Sequence, residues 1–169
     1  MSYSEIPFDQ MSLMPAIGNH NCRHGLGYGN GNETSWGTAN RARFYPIRLY
    51  SPTWARRIIF AGGNTTGSVD VGIYRRDGTL ITSSGATTNA NSVLAPTLSP
   101  VVLLTPGDYY LAMACSSGSS SIFASTPSAG YRGVMYMETA YTLPATATFA
   151  GMSNSIVATM AISPYASDL

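Results

Sequence analysis

With 169 residues and 44% apolar content, the chain has enough material for one packed core, which excludes disorder throughout. Only 10% of residues are charged and the net charge is +1, so there is no general electrostatic case for a nucleic-acid partner. No apolar run is long enough to span a bilayer, and no membrane partner is expected.

Residues 1–40 form the first recognisable segment. Pro7 and Pro15 interrupt any helix, and Gly25, Gly27, Gly29 and Gly31 then alternate strictly. Such a stretch loses much entropy on ordering and buries little, so an extended Gly/Asn-rich arm is expected, lying over a neighbouring subunit. Glu5 and Asp9 interrupt its start, so no signal peptide is expected. Cys22 and Cys115 stand alone and far apart, which fits assembly in a reducing cytoplasm without a disulfide scaffold.

From residue 41 to 169 the pattern is all-β. Strands are expected at 41–50, bulged or at an edge because Pro46 cannot donate, and at 54–61. The clearest signal follows, where Val69, Val71 and Ile73 alternate with Asp70, Gly72 and Tyr74. Asp77-Gly78 supplies a tight hairpin turn, and Thr79 to Thr82 begins the return strand. Residues 83–91 read as a loop, with weak strands near 92–94 and 101–104. Gly107 to Cys115, entered through Thr105-Pro106-Gly107, is the second strong strand. Shorter strands are expected at 122–124, within 131–138 and at 156–162. Without helical periodicity or a repeat, short strands punctuated by Gly, Pro and Asn predict a single jelly-roll-like β-sandwich.

All nine basic residues are arginine. Arginine suits interfacial and stacked contacts, so this reads either as extensive subunit contact or as a biased genome. Arg41, Arg43, Arg48, Arg56 and Arg57 lie among Phe44, Tyr45, Tyr50 and Trp54, which reads as a solvated or interfacial strand face rather than a nucleic-acid groove.

Residues with chemistry to offer are few. His20, Cys22 and His24 alternate and share one face if extended, a composition that suits zinc. Ligands on one strand do not easily converge on one ion, so packed histidines at a subunit contact are favoured and no metal or cofactor is expected. Both histidines lie in the arm, a poor platform for a hydrolytic triad, and no Gly-x-Ser-x-Gly elbow occurs. Asp77 and Asp108 have turn roles, leaving Asp70, Glu33 and Glu138 as thin candidates for paired carboxylates. No catalytic residue is assigned and an enzyme is not expected. Tyr28, Trp36, Arg41 and Arg43 are candidate interface residues where the arm joins the sandwich. Trp36, Tyr131 and Tyr136 are the candidate aromatics for glycan contact.

The segments Ala39–Leu49, Val69–Tyr74 with Asp77-Gly78-Thr79-Leu80, and Leu104–Ala112 together resemble a β-sandwich domain of tailed-bacteriophage virion structural proteins. That resemblance covers roughly residues 39 to 125 and rests on turn and core positions, so it implies a fold and a virion context but carries over no active site. Members of that family serve as head decoration, head-fibre or tail-tip structural proteins; with no coiled-coil heptads and no repetitive shaft here, a head decoration or cement protein is expected, made in the host cytoplasm and incorporated into the virion. Its implied partners are other copies of itself, as a homotrimer, and the major capsid protein. The alternative is a receptor- or glycan-binding module at a tail or fibre tip, with a host surface glycan as ligand.

Overall fold

The computed structural model describes residues 24–25, 32–125, 134–153 and 156–164. Among these residues there is no helix. The strands are β1 (His24–Gly25), β2 (Asn32–Ser35), β3 (Ala42–Leu49), β4 (Thr53–Ala61), β5 (Ser68–Arg75), β6 (Leu80–Ser83), β7 (Thr87–Thr88) and β8 (Val93–Leu94). They continue with β9 (Thr97–Leu104), β10 (Gly107–Cys115), β11 (Ser121–Ser125), β12 (Val134–Met137), β13 (Gly151–Ser153), β14 (Val157–Ala158) and β15 (Met160–Ser163).

One antiparallel path runs β1-β15-β4-β9-β6-β5-β10-β3-β12-β13. Its β6–β9 junction is a single residue pair, Ser83 with Ser99, so the path curls there into two halves that share a core. Ile58 and Phe60 of β4 and Met160 and Ile162 of β15 come from one half. Val71 and Ile73 of β5, Leu111 and Met113 of β10, and Tyr45 and Ile47 of β3 come from the other. The small sheet β14-β11-β2 adds Ile122, Ala124, Val157 and Ala158 to the same core. The fold is an all-β sandwich.

The hairpin follows the local chemistry. Gly78 has φ +89°, and Asp77 Oδ1 accepts the Thr79 N–H at 2.9 Å. β5 then pairs with β6 with a register shift between Ile73 and Tyr74. β10 lies between β5 and β3 and pairs with both along its length.

Four features depart from the sequence pattern. β3, β5 and β10 are buried on both faces, because residues 139–150 fold over the outer side of the sheet. There Ala140, Leu143, Ala147 and Phe149 cover Phe44, Tyr74, Tyr110, Ala112 and Ala114, with Phe44 edge-on to Tyr74 at 5.2 Å and to Phe149 at 5.1 Å. β9 runs straight through Pro100, longer than the weak strand expected, and Thr87–Thr88 in the expected loop pairs with β5. The last expected strand divides: β14 joins the small sheet and β15 the main path. Finally, the described parts of the expected arm belong to the sandwich itself, with β1 on β15 and β2 on β11. Each is an edge strand whose backbone groups facing its one neighbour are paired within the chain.

Candidate interaction surface

The junction residues Trp36, Arg41 and Arg43 are brought together, but inward. Trp36 is fully buried, and its Nε1 donates to the Arg41 carbonyl at 2.9 Å. The buried Arg43 guanidinium lies 4.8 Å over the indole, and its Nη2 donates to the Trp36 carbonyl at 3.1 Å. Burial draws the Arg43 pKa below its ordinary value, opposed by Tyr45. Arg41 stacks on Tyr136 at 4.7 Å and pairs with Glu138. Trp36 is therefore corrected from a surface aromatic to a core residue, and the half-buried Tyr136 has Arg41 over its ring. The signal that could have found this is the cation–aromatic combination at the start of β3 beside a tryptophan.

His20, Cys22, Tyr28 and Tyr131 lie outside the described residues, and of His24 only the backbone, in β1, is described. Among the described residues no three His, Cys, Asp or Glu side chains gather in one place. Cys115 is buried, and that burial pushes its thiol pKa well up, keeping it protonated.

The acids considered for chemistry have separate partners. Glu33 accepts the Ser121 hydroxyl at 2.5 Å, and Glu138 pairs with Arg41. Asp70 lies beneath the 139–150 segment, where Oδ2 accepts the Leu143 N–H at 2.9 Å and Oδ1 accepts the Ser84 hydroxyl at 3.3 Å. Burial raises the Asp70 pKa, and its hydrogen bonds from Leu143, Ser84 and Gly85 oppose the rise. Tyr74, beside it, donates to the Pro144 carbonyl at 2.6 Å, so this polar group anchors the covering segment.

What the fold presents outward is an apolar stripe on β4 and β9. Thr53, Ala55, Ile58 and Phe60 of β4 turn inward, and the irregularity between Ala55 and Arg57 shifts the phase between the two pairs. Trp54, on the opposite face and 46% exposed, is paired across the strands with Leu103, which is 51% exposed. Val101, two residues before Leu103 and so on the same face, is 37% exposed. Arg56 lies 5.5 Å over the Trp54 ring. From Gly78 through Gly107 the sequence carries no charge, so β9 has none of the charged residues that usually protect an exposed strand. Sequence reading missed this stripe because Val101-Val102-Leu103-Leu104 is apolar at every position, which hides the face that points out.

Compared with protein-family profiles, with curated proteins and with solved structures, the chain matches none.

Proposed function

We propose that the chain is a self-associating structural protein of a phage-type virion, serving as a head decoration or cement protein rather than as an enzyme. The observation that carries this reading is the stripe of Trp54, Val101 and Leu103, with Arg56 at its border. Apolar residues gathered on one exposed face mark a contact surface when they include anchors, and Trp and Arg are among the residue types that most often anchor protein contacts. A surface poor in charge adds to this, because few ionic groups must be desolvated when such faces meet.

The resemblance noted in the sequence gains internal consistency from the fold. Its three segments contain β3, β5 and β10, which are three neighbouring strands of one sheet. The role would be mechanical: sandwich faces bury apolar area between copies and against the major capsid protein, and no bond is made or broken.

The test is the native mass of the full chain by light scattering, followed by co-sedimentation with decoration-free heads. An oligomer is expected, with the homotrimer read from the same mass, together with retention on heads. Leu103→Lys should abolish both without altering the circular dichroism. A wild-type monomer at high concentration that leaves heads bare would overturn the reading.

A receptor- or glycan-binding module is the second reading. The observation that favours it is a polar recess that neither Trp36 nor Tyr136 lines.

A further inference from the structure

One end of the sandwich gathers charge in a chain that has little. β3 leaves this end at Leu49, the β5–β6 hairpin turns there, and β10 enters at Gly107. Leu49 is paired with Gly107, Arg48 with Asp108 and Arg75 with Tyr109, so Arg48, Arg75, Arg76, Asp77 and Asp108 converge. A shallow recess of about 310 Å³, largely open to solvent, lies between the strand ends, lined by Arg75, Arg76, Asp77, Gly107, Asp108 and Tyr109. Its floor is fixed, since the Tyr109 hydroxyl donates to the Thr105 carbonyl at 2.8 Å. Tyr50 follows Leu49 directly and is 62% exposed, which leaves an aromatic ring at the same end.

The charges in this cluster are not equivalent. Arg48 grips Asp108 with a two-pronged contact, Nε to Oδ1 at 2.7 Å and Nη2 to Oδ2 at 3.1 Å. Arg76 Nη1 stands farther off, 3.7 Å from Oδ2. The exposed Arg75 side chain makes no hydrogen bond or ion pair among the described residues. Asp108 is thus shared by Arg48 and Arg76, and the exposed Arg75 has only the nearby charge of Asp77 to answer it. Asp77 gives Oδ1 to the Thr79 N–H, and a carboxylate retains further acceptor sites.

We infer that this recess binds an acidic saccharide, with its anionic group on Arg75 and its hydroxyls on Asp77. Arginine is suited to a planar or tetrahedral oxyanion, and an acceptor carboxylate beside it selects a ligand that also donates hydroxyls. The volume is at the lower end of the range for small-molecule sites and exceeds what a bare phosphate fills. This inference is independent of the self-association reading and deepens the second one.

Calorimetric titration of the full chain with oligogalacturonate, neutral dextran of matched length and inorganic phosphate tests it. Binding of oligogalacturonate alone is expected, weakening with added salt and falling about tenfold or more, some 1.4 kcal/mol, in Arg75→Ser. Arg56→Ser, which does not line the recess, should leave it unchanged, and thermal melts of both variants should match wild type. No binding of oligogalacturonate into the millimolar range, or equal binding by Arg75→Ser, would overturn the proposal. So would inorganic phosphate binding as tightly as the saccharide. None of these results bears on whether the chain self-associates.

Discussion

The Arg43 guanidinium lies 4.8 Å above the Trp36 ring and donates to the same residue's carbonyl at 3.1 Å, which closes the end of the core with a buried cation. Trp36 thus belongs to the sandwich, although it lies between β2 and β3 in what reads as the base of an arm. Removing residues 1–36, the truncation that the sequence invites, deletes both β2 and this indole. We expect that variant to be unfolded or aggregated. Trp36→Ala alone should cost about 3–5 kcal/mol, measured by urea denaturation. Unchanged stability in Trp36→Ala would refute the assignment.

Asp70 ties stability to pH in a direction opposite to that of a surface ion pair. Its folded pKa is raised by burial, so the native state holds the proton more tightly than the unfolded chain does. The contribution is most favourable when both states are protonated. It is lost as pH rises from the unfolded value of about 3.9 through the higher folded value. Asp70→Asn keeps an acceptor for the Leu143 N–H and should flatten this dependence, leaving stability at neutral pH equal or higher. Asp70→Ala leaves that N–H without its partner and should cost about 1–3 kcal/mol. Denaturation midpoints across acidic to neutral pH distinguish these outcomes; a steep slope that persists in Asp70→Asn would assign the dependence to another group.

The covering segment should open locally before the sandwich unfolds. Phe149 meets Phe44 at 5.1 Å and Tyr110 at 5.4 Å near the segment's end. Phe149→Ala should speed amide exchange in residues 139–150 while β5 and β10 stay protected, and global stability should fall by about 1–3 kcal/mol because the ring is only partly buried. Uniform acceleration across the chain would contradict a separable segment.

Gly78 joins the hairpin to that same segment. Its φ is +89°, its carbonyl accepts the Ala147 N–H at 2.8 Å, and a Cβ at this position would lie 2.8 Å from the Ala147 carbonyl oxygen. Gly78→Ala therefore combines a disfavoured backbone conformation with a clash against backbone. The expected loss is above about 1 kcal/mol, with amide shifts near Ala147 in the NMR spectrum. Shifts confined to the hairpin would sever the link.

Much of the fold is legible in the sequence. β5, its turn and β10 follow from alternation, Asp77-Gly78 and the Thr-Pro-Gly entry, because strand and turn signals are local. The second face of the sheet is not legible. Asp70, Gly72 and Tyr74 read as outward-facing, yet they are buried by a segment that has no periodicity of its own and announces itself only as Ala- and Thr-rich. The same gap hides the surfaces. Trp36 and Arg43 are seven residues apart in unlike contexts, and only the meeting of strand ends reveals their contact. The recess at Arg75 and Asp108 likewise depends on the β5–β10 register, which no local pattern encodes.

The lone Ser83–Ser99 pair gives the sandwich a weak line. Longer ladders join β10 to β3 and β5 and β4 to β15, but across this seam the Thr82 hydroxyl, bonded to the Pro100 carbonyl at 2.6 Å, is the nearest reinforcement. Traction applied to the two halves in opposite directions would therefore part the protein along β6 and β9 first, making this seam a built-in fuse.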